Sequence, residues 1–370
     1  PPSFESKRRT DRKAFSQPGM LRKEVDKAVD EAVAKLSQMA VPPVKRWILE
    51  YVLWKEAANP ALQRAVEECR TYPPLLKMLA SQNPDGTWPI SRQRKAEEDA
   101  GPGPPYGWTH TTMVRNLYML FEYWATREIG HIEDSLELIL SWQDERGFIR
   151  GPERDGIPRP YNNGLTLGVL IKFGMKGDMR VERLLKALLK AQRHDGGWNI
   201  PYTQDMRYRP EFRYMSLDEF KERLAAGKLP EYDPSDYEDI PSCIWTTLGA
   251  LRGISMYGSL SGERDIRRAA EFVLDRFFMR NHHSSFYQSG SNWTMLKFPT
   301  YFGSGLTALD TLVHMGFGPN DERMEKPIRW LLGARSKDGM WHRTERPHPI
   351  DDQWVSLVCL EILGHFREMY

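Results

Sequence analysis

The stretch "SQNPDGTWP" (residues 81–89) has near copies further down the chain: "SWQDERGFI" (141–149), "AQRHDGGWN" (191–199) and "ARSKDGMWH" (334–342). A phrase recurring at intervals of roughly fifty residues marks a repeat architecture, in which each unit buries its apolar face by stacking on its neighbours. Each copy closes an amphipathic segment. The Gly after Asp suits the left-handed conformation that ends a helix. The Trp two residues on is then placed to fold back between neighbouring hairpins. In a fourth unit the phrase is replaced by "MRNHHSSFYQSG" (279–290), a degenerate copy.

Working outward, a two-part unit repeats. Its first part is an amphipathic helix that ends in the DG turn, over 74–82, 132–143, 180–193, 264–280 and 325–335. Its second part is a helix apolar on more than one face, over 110–126, 163–173, 243–257, 304–315 and 353–366. A helix apolar nearly all round is buried, so the amphipathic set goes outside and the apolar set inside. Segments 21–40, 44–57 and 61–70 are also helical, with Pro42 and Pro43 between the first two. With the N-terminal pair this makes about six hairpins. The expected fold is therefore all-α, an (α/α)6-type toroid or barrel. Residues 1–20 read as an N-terminal arm and 21–370 as a single toroid domain. Two linkers are long for mere connections. One is Pro/Gly-rich (91–108). The other, 201–241, carries a short helix capped by Ser216 with Glu219 at the capping-box position, and reads as a lid or wall at the cavity mouth.

Composition narrows the function. Net charge is +2 and no basic block is interleaved with aromatics, so a nucleic-acid partner is not expected. No apolar run is long enough to span a membrane. The N-terminal residues lack the apolar core of a secretory signal. Three cysteines, Cys69, Cys243 and Cys359, have neither paired nor metal-type spacing, which points to a reducing, cytoplasmic setting. The 12 Trp, 15 Tyr and 15 Phe are a heavy aromatic load, and many fall in loops, where a pocket wall would use them.

With hairpins arranged in this way, the N-terminal ends of the inner helices are expected to ring the cavity mouth. Residues there come from different repeats: Tyr106, Trp108 and His110; Arg159, Tyr161, Asn162 and Asn163; Asp239, Cys243 and Trp245; Trp293, Tyr301 and Phe302; Asp351, Asp352 and Trp354. Polar groups converging on an aromatic pocket form the default candidate site. Helix N-termini carry partial positive charge, so such a mouth suits an anionic ligand. His110 is the leading acid/base candidate because imidazole titrates near neutrality; simple packing is its alternative. Tyr161 and Asp351 or Asp352 complete the expected catalytic set, although Asp at a helix start is also an ordinary cap. In "RPYNNG" (159–164), guanidinium, phenol and amides suit a ligand oxygen, and turn formation equally. Glu97, Glu98 and Asp99 read as solvated linker charge. The adjacent His282 and His283 lack metal-ligand spacing.

The DG-Trp copies resemble the QW-type repeats of squalene-hopene cyclases and of the β subunits of protein prenyltransferases. The resemblance covers about residues 74–366. It is strongest in "NWTMLKFPTYFGSGLTALDTLVHMGF" (292–317) with "PIRWLLGARSKDGMW" (327–341). It lies closest to bacterial and archaeal members with prenyltransferase/squalene-oxidase repeats. It implies an α/α toroid around a central cavity. The families' best-known chemistries do not carry over residue by residue. Class II terpene cyclases protonate an alkene with the central Asp of a DxDD motif, and "PIDD" (349–352) lacks the first acid. The prenyltransferase zinc site pairs an Asp with a Cys two residues away and a later His. Here Asp239 and Cys243 are four apart and Asp351/Asp352 hold the later position. No cofactor is expected, zinc included, and Cys243 reads as a small buried thiol.

Three readings follow. The first is an enzyme acting by acid/base chemistry on a small or apolar substrate, isoprenoids among them, in the central cavity. The second is a carbohydrate-active enzyme, a glycosidase or polysaccharide lyase on an (α/α)6 barrel. The third is a non-catalytic binding or scaffold protein. The expected partner is a small molecule or carbohydrate.

Overall fold

The four DG turns adopt one geometry. Gly86, Gly147, Gly196 and Gly339 have φ of 82°, 95°, 88° and 89°, and in each turn a backbone N–H bonds the carbonyl four residues on (Asn83 to Thr87, Asp144 to Phe148, Arg193 to Gly197, Ser336 to Met340). Positive φ is free of Cβ strain only in Gly. A Cβ on Gly86 would also lie 2.4 Å from the Ser135 nitrogen on the next outer helix, so the turn abuts its neighbour's backbone. The computed structural model describes residues 18–99, 107–152, 157–201, parts of 204–229, 233–258, 263–281, 283, 290–299, 303–346 and 348–370.

The fold is all-α. The outer helices are α1 (Pro18–Met39), α4 (Pro73–Ala80), α7 (Ile132–Ser141), α9 (Met179–Lys190), α11 (Arg264–Asp275) and α14 (Glu325–Gly333). The inner set is α2 (Pro42–Trp47) with the π-helical turn Ile48–Val52 that continues it, α6 (Trp108–Glu122), α8 (Pro160–Lys172), α10 (Ile244–Ser255), α13 (Gly305–His314) and α15 (Pro349–Glu368). Helices α3 (Pro60–Arg70), α5 (Arg92–Asp99) and α12 (Gly290–Thr294) pack beside them. Helix α1 begins at Pro18, inside the stretch expected to be an arm.

The repeat residues are buried staples. Trp88, Trp198 and Trp341 are almost wholly enclosed. Each indole N–H donates to the carbonyl ten residues earlier, on Met78 (3.0 Å), Leu188 (2.8 Å) and Leu331 (2.7 Å), which fastens the turn to its own helix. The Gln at the head of the phrase then reaches the next repeat. Gln143 Nε2 donates to Arg180 O (2.8 Å) and Gln192 Nε2 to Asp265 O (2.7 Å). In the last copy Arg335 stands in place of Gln and pairs with Glu31 of α1, closing the ring between the ends of the chain. Leu21, Val25, Ala28, Val29, Ala32 and Leu36, at helical spacing, bury the inner stripe of α1. Arg329–Glu24 and Arg367–Asp30, both 3.5 Å, complete the seam.

One inner contact is unusually close. Gly164 and Gly168 of α8 face Gly249 and Gly253 of α10. A Cβ on Gly253 would lie 1.9 Å from Gly164 O, and one on Gly164 2.2 Å from Gly249 O. Four glycines at i, i+4 spacing let the two backbones touch, and Tyr161 lies flat across Gly249 with its ring stacked on Trp245 (3.9 Å).

Candidate functional site

The hairpins alternate direction, so all inner helices start at one end of the ring and stop at the other. At the starting end the polar residues are occupied in holding turns together. Asn163 bonds both the N–H (2.7 Å) and the carbonyl (3.1 Å) of Ile149 and the carbonyl of Arg159 (3.1 Å). Buried Asp352 accepts from Arg343 N (2.9 Å), His348 N (2.9 Å) and His342 Nδ1 (2.9 Å), knitting α15 to the last DG turn. Cys243 caps α10, with Sγ accepting from Thr246 N (3.5 Å) and Asn281 Nδ2 (3.3 Å), and Asn199 Oδ1 takes its backbone N–H (2.7 Å). Described parts of 201–241 are fastened at this end. Asp205 accepts from Asn199 Nδ2 (2.7 Å) and lies 3.8 Å from buried Arg193, whose guanidinium also donates to Ile240 O (2.7 Å).

The residues expected to form the site lie largely here, where those that are described are engaged with neighbouring turns and helices. His110 is buried, with Nε2 3.1 Å from Thr166 Oγ1 and its ring edge-on to Trp142 (5.6 Å). Burial pulls its pKa down to about 4, so the imidazole is neutral and packed. Tyr161 and Trp245 stack on each other between helices. Asp351 is half-exposed and pairs with Arg343 (2.7 Å), and Asp239 is exposed and pairs with Arg209 (3.0 Å). Trp108 lies under Arg94 (4.3 Å). Arg159 is buried, with Nη1 3.4 Å from Ile157 O, and Asn162 lends its carbonyl to Thr166 (2.8 Å). Trp293 is a buried counterpart of the staples, donating to Met279 O (2.8 Å) in the degenerate repeat. Tyr106, Tyr301, Phe302 and His282 lie outside the described residues, as do the side chains of Glu97, Glu98 and Asp99. The physical reason is that buried backbone N–H groups at this end need acceptors, which Cys243, Asn163 and Asp352 supply, while His110, Tyr161 and Trp245 are taken up in packing between helices.

Trp354 is different: it lines a cavity of about 390 Å³ that occupies the opposite half of the ring. Trp354 and Phe298, stacked at 4.7 Å, are part of its lining. Aromatic and apolar residues Trp47, Tyr118, Phe121, Leu357 and Val358 line it too, as do Ser255, His314 and His365 near the helix ends. Each of five inner helices contributes a lone charged residue from an otherwise apolar run: Glu122, Lys172, Arg252, Asp310 and Glu361. A charge in an apolar buried helix is retained only when paired or used. Four of these are paired. Lys172 Nζ lies 3.0 Å from Glu122, and Arg252 donates to Asp310 (2.7 Å) and to Tyr118 Oη (3.0 Å).

Glu361 is the exception. It faces the cavity and makes no side-chain hydrogen bond among the described residues. Burial, reinforced by Asp310 and Glu122, pushes its pKa up to about 8. Burial would raise Asp310 too, but Arg252 and His314 outweigh it and hold that carboxyl well below the usual range. One cavity thus holds two carboxyls whose pKa values are pushed in opposite directions, Glu361 up and Asp310 down. His365, one turn beyond Glu361 on the same helix face, has its pKa lowered by burial and by His314, whose ring lies 4.8 Å away. Against burial, Asp310 raises the pKa of His314. Among the described residues, no group of three or more His, Cys, Asp or Glu could hold a metal ion, and no helix is long and apolar enough to cross a membrane.

These features define an all-α toroid with an amphipathic central cavity. No family model and no curated protein matches the chain. Among solved structures it is similar to a protein from Actinoplanes, at 13% identity and a TM-score of 0.43 over 93% of this chain and 99% of that one. It is also similar to a type II terpene cyclase from Scytonema in complex with its substrate geranylgeranyl dihydroxybenzoate, at 14% identity and a TM-score of 0.27 over 95% of this chain and 99% of that one.

Proposed function

We propose that the protein is an enzyme that uses Glu361 as a general acid on an apolar substrate, an isoprenoid, held in the aromatic cavity. The observation that carries this reading is a Glu361 carboxyl without a side-chain hydrogen bond among the described residues, its pKa pushed up to about 8, facing a cavity of about 390 Å³, within the roughly 300–1,000 Å³ range of small-molecule pockets. The Glu361 O–H bond breaks as a new C–H bond forms on a substrate double bond, leaving positive charge on the adjacent carbon. The π faces of Trp354 and Phe298 meet that charge. Loss of a proton from a neighbouring C–H to neutral His365 leaves the product with the atoms of the substrate, so the reaction is an isomerisation or cyclisation, and return of that proton from His365 to the Glu361 carboxylate, one turn away on α15, restores both groups for the next turnover. A carbohydrate substrate has less support. A glycosidase needs a second working carboxyl, and Asp310 is already engaged by Arg252.

The test is turnover of a panel of linear polyprenols and polyprenyl hydrocarbons, with products followed by mass-neutral changes in chromatographic retention. Glu361→Gln keeps the shape and removes the acid, so kcat should fall by about 10²–10⁴-fold in a variant that still melts cooperatively. Undiminished turnover by that variant overturns the role of Glu361.

A further inference from the structure

The cavity's electrostatics also limit the head group its ligand can carry. Glu122, Lys172, Ser255 and His314 are each the last residue of their helix, namely α6, α8, α10 and α13, and all four line the cavity. Four helices of ten or more residues therefore direct their C-terminal dipole ends at one space. Each end is equivalent to roughly half a negative charge, and each favours cations and opposes anions. Side chains do not reverse this field. The two strong cations, Lys172 and Arg252, are matched one for one by Glu122 and Asp310 at 3.0 and 2.7 Å, and the Glu361 carboxyl, which enters the proposed reaction protonated, adds no positive charge to receive an anion. The wall already seats a cation. The Lys172 ammonium lies 4.3 Å from the Phe121 ring centre, 5.1 Å from Tyr118 and 5.9 Å from Trp47, the geometry in which aromatic faces stabilise positive charge.

We infer that the cavity selects an isoprenoid with an uncharged head and rejects a diphosphate, and that it binds most tightly a ligand carrying positive charge. This rests on the reading of the cavity as an apolar-substrate site. A multiply anionic head would meet four opposing helix ends and find Lys172 and Arg252 already matched by Glu122 and Asp310.

The experiment compares three probes with one tail, farnesylamine, farnesol and farnesyl diphosphate, below their aggregation concentrations at low salt. Binding is followed through quenching of Trp fluorescence, since Trp47 and Trp354 line the wall. Farnesylamine should bind about tenfold tighter than farnesol, and farnesyl diphosphate about tenfold weaker or worse. Added salt should narrow the spread little, because the groups are enclosed. In Glu122→Gln, checked by thermal melting, the gap between amine and diphosphate should shrink. If all three bind and the diphosphate is tightest, the charge selection is wrong while the apolar site stands. If none binds, the apolar-substrate reading fails and the inference falls with it.

Discussion

Where the inner helices begin, Asn163, Cys243, Ser304 and Asp352 turn their polar atoms onto backbone groups of adjacent turns. Where those helices stop, Glu361, His365 and Lys172 face open volume. Both ends belong to the same hairpins and contain comparable residue types. They differ in what the backbone asks of the side chains. A buried helix start leaves N–H groups that only a side-chain oxygen or sulfur can satisfy. A helix end can satisfy much of its own need with positive-φ glycines and tightened last turns, leaving its side chains free for a ligand. In this toroid, then, polar density at the helix starts marks construction, and the carboxyl without a side-chain hydrogen bond among the described residues, Glu361, lies at the other end.

The contrast can be broken at several points. The largest effect is expected at the staples. Trp198→Ala or Trp341→Ala should destabilise the fold by about 3–5 kcal/mol, read from denaturant midpoints; a loss below about 1 kcal/mol would mean that the turns stand without them. Next comes the close helix pair. Gly253→Ala should cost about 1–3 kcal/mol or more by pushing α8 and α10 apart, and unchanged stability would show that the 1.9 Å clash relaxes freely.

A third test uses pH. The folded pKa of Glu361 is pushed up to about 8 from its ordinary value of 4.5. The native state therefore keeps a proton that the unfolded chain releases, and stability is full below about pH 4.5 and falls as pH rises toward 8. Glu361→Gln removes that loss, so its Tm should exceed that of the wild type at pH 8.5 by a few degrees, equivalent to about 1–2 kcal/mol, and match it near pH 4.5. A pH-independent difference would place Glu361 in a wetter setting. The smallest effect is expected for Asp351→Ala, which loses only a half-exposed pair with Arg343 and should change stability by less than about 1 kcal/mol. A larger loss there would mean that the starting end relies on its surface charges as well as its caps.

The fold was legible because its signal is local and repeated. A DG turn, a Trp two residues on and a Gln or Arg before it each perform a job within about ten residues or against the next copy. The cavity also had a signal. "MLFEYW" (119–124), "VLIKFG" (169–174), "GALRGI" (249–254), "TALDTL" (307–312) and "VCLEIL" (358–363) each place one charge in an apolar run, and a charge in a helix that must be buried asks for a partner. The long linkers and loop aromatics gather at the opposite end of the ring and give no sign of it.

What the sequence by itself determined is the all-α ring and the division into inner and outer helices, because helical periodicity and turn chemistry are properties of neighbouring residues. The arrangement in three dimensions placed the described cavity at the end where the inner helices stop. That placement depends on side chains from five inner helices, far apart in the chain, either meeting and pairing, as Arg252 does with Asp310, or being left facing space, as Glu361 is. It depends equally on the sign of the helix dipoles there, which direction of travel around the ring fixes and composition does not.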